Sequence, residues 1–192
     1  MLTLYFAPGS SSMAPHIALH EIGVPFESRP MSFRRRELRS PDFLALNPEG
    51  KVPLLLIDGR PLTEVAAILF YLARSHPDSA LLPSGAEGEA QAISWMSFIA
   101  STLHPSRRGG TDHAFATYGL AEQRLGMREW ALEAYSIVDI HLFRLFWRLS
   151  NSLHPARAMF PGLYAHQDRM LARPAVARTI AIEAAVGYEL PA

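Results

Sequence analysis

Cysteine is missing from this chain of 192 residues. Its absence excludes disulfides, thiolate metal sites and any redox centre built on a protein thiol. Net charge is missing too, because 18 Lys and Arg offset 18 Asp and Glu. No long-range field therefore favours nucleic acid or an anionic membrane, and a charged ligand has to be held by local groups. No apolar run approaches membrane-spanning length, and no basic leader precedes the opening Met1-Leu2-Thr3-Leu4-Tyr5-Phe6. A membrane is thus not an expected partner, and the cytoplasm is the expected location. The eight histidines are scattered without paired ligand spacing, which argues against a metal. No Gly-x-Gly-x-x-Gly or phosphate-loop lysine motif occurs, so nothing is in place to cradle a nucleotide.

What is present is apolar substance, 49% of the residues, enough to bury a core in one compact domain or two small ones. Leu2 to Ala7 is a short apolar run closed by Pro8-Gly9, the pattern of a buried strand ending in a turn. Met13, Ile17, Ala18 and Ile22 recur at helical spacing up to Gly23, where a helix stops. Val24 to Arg29 then suits a second strand, and a strand, a helix and a strand within about thirty residues fit a right-handed crossover between parallel strands. Pro41 to Leu46 predicts a short helix, ended by Asn47-Pro48. Leu54 to Ile57, the turn dipeptide Asp58-Gly59 and Arg60 to Leu62 predict a hairpin. Thr63 is the expected N-cap of the next helix, with Glu64 in its first turn and an end near Arg74.

His76 to Gly85 holds two prolines and a glycine and reads as a connector. The expected organisation is an α/β domain over 1–75, a linker over 76–85 and an all-helical domain over 86–192. Glu87 to Leu103 and Ile137 to Leu149 carry apolar residues at helical spacing, and Asp168 to Glu183 is helix-like around Pro174. Ser136 and Asp139 have the form of a capping box, with Tyr135 and Ile140 as a hydrophobic staple. Between Arg107 and Ala134 the glycines 109, 110, 119 and 126 interrupt the pattern, and a truncated or deleted helix is expected there.

The stretch Asn47-Pro48-Glu49-Gly50-Lys51-Val52-Pro53 through Thr63-Glu64-Val65-Ala66-Ala67-Ile68-Leu69 closely resembles the glutathione-binding half of a glutathione transferase. Leu4-Tyr5-Phe6-Ala7-Pro8-Gly9-Ser10-Ser11-Ser12-Met13-Ala14-Pro15-His16 is similar to the start of the bacterial beta class, and the Ser136-x-x-Asp139 box is similar to the one that opens the family's buried central helix. The resemblance implies a thioredoxin-like α/β domain joined to an all-α domain, assembled as a homodimer, with glutathione as co-substrate and a small hydrophobic electrophile as second substrate. It implies a cis peptide before Pro53, with the Val52 backbone pairing with the cysteinyl unit of glutathione. Glu64 would contact the γ-glutamyl amine. Val65 stands where the family usually has a serine for the γ-glutamyl carboxylate, and losing that hydroxyl would cost about 1.5–3 kcal/mol. Lys51, with Arg34, Arg35 and Arg36, offers cations for the glycyl carboxylate.

Aligning Ala14-Pro15-His16 places Ser11 where the beta class has cysteine. A thiol with a free pKa of about 8.5 needs hydrogen-bond donors and positive potential to remain a thiolate. Ser11, and beside it Ser10 and Ser12, would donate at a helix start that supplies the potential; the same serines would equally serve as helix caps. Tyr5 and His104 are the residues expected at the substrate pocket, and His16 is expected to be structural. Two functions compete: a transferase joining glutathione thiolate to small apolar electrophiles, and a transferase-like binding protein with impaired glutathione binding. The joint match of both amino-terminal motifs makes the transferase the leading reading, and Val65 with the shortened helical region motivates the alternative. A glutaredoxin-like reductase lacks the cysteine that exchange requires.

Overall fold

The computed structural model describes residues 1–190. Four strands, β1 (Leu2–Phe6), β2 (Phe26–Pro30), β3 (Leu54–Ile57) and β4 (Arg60–Thr63), form one sheet in the order β2-β1-β3-β4. β1 and β2 run parallel, with Leu2 opposite Phe26. Helix α1 (Met13–Ile22) makes the crossover between them and ends at Gly23, whose φ of 75° lets its N–H close on the Leu19 carbonyl. β3 is antiparallel to β1, with Leu4 opposite Leu55, and pairs with β4 through a tight turn. Asp58 and Gly59 at that turn have φ of 49° and 81°, the left-handed pair that matches the twist of a two-residue hairpin.

Helix α2 (Pro41–Leu46) is capped by the Ser40 hydroxyl, which accepts from Phe43 N–H. Helix α3 (Val65–Ser75) begins one residue later than the sequence suggested. Thr63 belongs to β4, and Glu64 lies before the helix with φ of 68° rather than in its first turn. Its carbonyl accepts the first helical bond, from Ile68 N–H.

Helix α4 (Gly85–Phe98) passes through a π turn at Ile99–Leu103 into a 3₁₀ segment at His104–Gly109. Pro105 gives a cause, since it has no N–H and its ring would press on the carbonyl four residues back. Where a truncated or deleted helix was expected, α5 (Thr111–Leu125) runs for 15 residues through Gly119. Burying Ala114, Thr117, Tyr118, Ala121 and Leu125 along one stripe outweighs the ~1 kcal/mol that a mid-helix glycine costs.

Helix α6 (Ile137–Leu153) is buried without a break from Ile137 to Phe146 and opens with the expected capping box. Asp139 Oδ2 accepts from the Ser136 N–H at 2.9 Å and its hydroxyl at 3.1 Å. Its Oδ1 accepts from Ala131 N–H at 2.7 Å and pairs with His166 Nε2 at 3.0 Å. Pro174 separates α7 (Pro161–Leu171) from α8 (Pro174–Val186).

The chain divides into two compact units, and α8 belongs with the first: Met1–Leu72 with the described residues from Pro174 onward, then Ala73–Arg173. The expected helical domain had included that last helix. Packing between α1 and α8 explains why α1 is buried continuously from Met13 to Leu19 instead of along one face. No helix among the described residues is long and apolar enough to cross a membrane.

Candidate functional site

The three serines behave differently although they are adjacent in sequence. Ser12 Oγ turns back to the end of β1, accepting from Ala7 N–H at 3.0 Å and donating to the Ala7 carbonyl at 3.2 Å. It therefore does not cap α1, and no side-chain cap bond is made there. Ser10 Oγ lies 2.6 Å from Ser12 Oγ and accepts from Ser12 N–H at 3.2 Å. Both side chains are buried, and this closed circuit uses both hydroxyl protons. Ser11 is half-buried and makes one long bond, donating to the Val52 carbonyl at 3.3 Å.

That bond joins the two amino-terminal motifs. The Val52-Pro53 peptide is cis, as expected. Asn47, itself buried, fixes the approach to it: Nδ2 donates to the Lys51 carbonyl at 2.8 Å and Oδ1 accepts from Glu49 N–H at 3.2 Å. Gly50 is required in this turn, because its φ is 61° and a Cβ would lie 2.8 Å from the Leu38 carbonyl oxygen. Lys51 is exposed and pairs with Glu49 at 2.8 Å, a surface pair weak enough to yield to a ligand carboxylate.

Glu64 is exposed and Val65 is buried, at 8% accessibility. The left-handed backbone at Glu64 is costly for a residue with a Cβ, by about 1 kcal/mol or more, and such conformations cluster at ligand sites. α3 starts directly after it, so the first-turn N–H groups of Val65, Ala66 and Ala67 have no helical acceptors.

Tyr5 is placed in the core. Its ring packs with Leu38, Phe43 and Leu54, with Val52 at the edge of that cluster. The hydroxyl accepts from Arg29 at 2.9 Å. The arginine run is exposed, with Arg35 bonded to Glu37 at 2.9 Å and Arg34 N–H to Glu189 at 3.0 Å. His104 lies in the second unit, at the head of the 3₁₀ segment. Desolvation, then Arg144 and Arg108, lower its imidazole pKa to about 4. A cavity of about 670 Å³ in that unit, walled partly by Pro83, Trp95, Arg128 and Tyr135, contains none of the expected site residues.

Sequence reasoning missed Glu183. This fully buried carboxylate on α8 accepts from Gly9 N–H at 2.7 Å and pairs with His16 Nδ1 at 3.0 Å. It thereby ties down the turn that carries Ser10, Ser11 and Ser12. The available signal is its place on the stripe Val176, Thr179, Glu183, at i, i+3 and i+7, otherwise without charge.

The family profile described as "Glutathione S-transferase, N-terminal domain" matches residues 1–74. The glutathione S-transferase GstA of Escherichia coli O157:H7 is 31% identical over 200 residues, covering 95% of this chain and 98% of that protein. The chain belongs to the glutathione S-transferase family. A bacterial beta-class glutathione S-transferase from Sphingomonas chungbukensis is 34% identical, with a TM-score of 0.80 over 94% of this chain and 98% of its own. A glutathione transferase homologue from Sulfitobacter, solved with bound glutathione, is 30% identical, with a TM-score of 0.87 over 95% and 98%. This glutathione S-transferase has the thioredoxin-like sheet and the mostly helical remainder of that fold.

Proposed function

We propose that this transferase conjugates the glutathione thiolate to small electrophiles, with Ser11 as the hydroxyl that stabilises sulfur. The observation that carries the proposal is the 3.3 Å bond from Ser11 to the Val52 carbonyl, which sets the one loosely engaged serine beside the cis Val52-Pro53 peptide. In this assignment the cysteinyl unit lies along the Val52 backbone. The glycyl carboxylate takes Lys51 in place of Glu49. The γ-glutamyl amine meets Glu64, and its carboxylate meets the unsatisfied N–H groups at the start of α3, which bind anions without a side-chain hydroxyl.

Ser11 then exchanges its bond to Val52 for one to the thiolate. Hydrogen bonding to the charged form, together with the start of α1, lowers the thiol pKa. The thiol proton leaves to solvent, sulfur forms the new C–S bond, and the leaving group departs with the electrons of the bond that breaks. Ser10 and Ser12 hold the loop, since their hydroxyl protons are already committed. His104 is assigned to the electrophile, and assembly as a homodimer is part of the same proposal.

Retention on immobilised glutathione and conjugation by wild type and Ser11→Ala test this. Loss of about tenfold or more in kcat/KM is expected for removal of a charge-assisted bond, whereas an unchanged rate removes Ser11 from the mechanism.

The buried Val65 side chain favours a second function, a scaffold that binds glutathione weakly or not at all. Calorimetry decides between the two: absence of heat with millimolar glutathione, restored in Val65→Ser, supports the second.

A further inference from the structure

Helix α8 and the segment after it bring two carboxylates to two different loops of the first unit. Glu183 accepts from Gly9 N–H, in the loop that leaves β1. Further along, Glu189 takes a matching place in the loop that leaves β2. Because β1 and β2 are parallel neighbours, both loops leave the same edge of the sheet, and Met31 N–H donates to the Phe6 carbonyl at 2.7 Å where they start. That carboxyl-terminal edge is where α/β sheets hold their ligands.

The chain reaches Glu189 by a fixed route. Gly187 N–H closes on the Glu183 carbonyl at 3.0 Å, and the Tyr188 hydroxyl donates to the Ile180 carbonyl at 3.4 Å. The Glu189 carboxylate then accepts from the Ser32 hydroxyl, 2.8 and 3.0 Å from its two oxygens, and from Arg34 N–H at 3.0 Å. These donors, Arg34 N–H first and the Ser32 hydroxyl next, hold the Glu189 carboxyl below the usual carboxylate range. Ser32 is buried, and its Oγ accepts in turn from Arg35 N–H at 3.0 Å. Glu37 closes the loop from its other side, accepting from Ser32 N–H at 2.7 Å.

This loop bears on the turn assigned to glutathione. Its single 3₁₀ turn, Glu37–Arg39, seats Leu38 and Arg39 on Gly50, where a Cβ would lie 2.8 Å from the Leu38 carbonyl oxygen and 2.5 Å from the Arg39 guanidinium. Arg39 also donates to the Glu49 carbonyl at 3.4 Å, and Leu38 packs in the cluster that Val52 borders. Lys51 follows Gly50 directly and is exposed, so the backbone beneath it sets where its ammonium group can reach.

We infer that Glu189 is a positioning residue for glutathione: by fixing the loop from Ser32 to Arg39, it holds the Gly50-Lys51 turn where Lys51 meets the glycyl carboxylate. This rests on the glutathione site proposed above. The contribution is preorganisation, since a turn already in its bound conformation loses less freedom when the ligand arrives. The Glu189 charge acts the other way, repelling a ligand carboxylate, but water and salt screen a charge at the surface.

Calorimetry on the full chain tests this by comparing glutathione with γ-glutamylcysteine, which lacks the glycyl residue. Glu189→Ala is expected to weaken glutathione about tenfold, the effect of roughly one charge-assisted contact, and γ-glutamylcysteine by no more than about twofold. Glu189→Gln keeps an acceptor oxygen for Ser32 and Arg34 and is expected to stay within about threefold of wild type. Ser32→Ala removes the same contact from the loop side and is expected to reproduce the loss, with the double variant losing no more than either single one. Matched urea midpoints show that the variants fold. Equal losses for the two ligands, unchanged glutathione affinity in Glu189→Ala, tighter binding in Glu189→Gln, or additive losses in the double variant overturns the inference and leaves glutathione binding standing. Wild type that binds neither ligand instead refutes the glutathione site, and the inference with it.

Discussion

Glu183→Ala separates the support of the serine loop from its chemistry. The wild-type carboxylate is completely buried and satisfies two buried groups from elsewhere in the chain, Gly9 N–H and His16 Nδ1. Alanine leaves both without an acceptor. Each stranded buried donor costs about 1–3 kcal/mol, so about 2–6 kcal/mol is at stake. Removing one member of a buried pair typically costs about 3–5 kcal/mol. A domain stable by about 5–15 kcal/mol stays folded at the lower end of that range.

Glu183→Gln should cost far less, about 1 kcal/mol. The amide oxygen still accepts from Gly9, and the NH₂ keeps a polar group facing His16 Nδ1, so neither neighbour is left against an apolar methyl. Urea unfolding gives both values from midpoints at unchanged slope. Glutathione affinity measured on the folded alanine variant should fall as well, because the Gly9 anchor precedes Ser10 and Ser11 directly. A cost below about 1 kcal/mol for alanine, or equal costs for alanine and glutamine, would refute the claim that this carboxylate holds the turn.

Two other sites give independent measurements. Asp139→Ala removes a cap and the acceptor of four buried bonds and should destabilise by about 3–5 kcal/mol in the same unfolding assay, more than the ~0.5–2 kcal/mol of an isolated N-cap. His141 is held neutral when folded, its pKa lowered from 6.5 to about 3 by burial first and then by Arg144 and His104. The unfolded chain therefore takes up this proton as pH falls below 6.5 while the folded chain does not. The contribution is fully present above that pH and is lost progressively towards pH 3, amounting to about 2 kcal/mol by pH 5. His141→Leu should flatten the fall of urea-midpoint stability between pH 6.5 and 5, and an unchanged slope would show that His141 titrates alike in both states.

Local pattern carried much of the fold. The β1-α1-β2 unit, the Asp58-Gly59 hairpin, the α2 segment and the Ser136-Asp139 box all lie where turn chemistry and apolar spacing placed them. Each depends on residues close together in the chain, so its determinants sit in one window of sequence. The misreadings arose where distant packing overrode local preference. Gly119 weakened the case for α5, yet its buried stripe holds the helix together. Thr63 and Glu64 looked like a helix start, but Thr63 is opposite Leu54 in the sheet. With Thr63 held in β4, the chain turns into α3 through a left-handed Glu64.

The serine loop shows the limit of residue type as evidence. Ser10, Ser11 and Ser12 carry identical hydroxyls at one helix start, and nothing in their local sequence ranks their availability. Hydrogen-bond satisfaction separates them. Ser12 is engaged on both sides by Ala7, and Ser10 by Ser12. Recruiting either for a ligand would break a buried bond and strand its partner, at about 1–3 kcal/mol. Ser11 has only one long, half-exposed bond to Val52 to give up, and the released carbonyl can accept from water. That difference is large enough to rank the three hydroxyls by availability, and it depends on Val52, which lies 41 residues away in the chain.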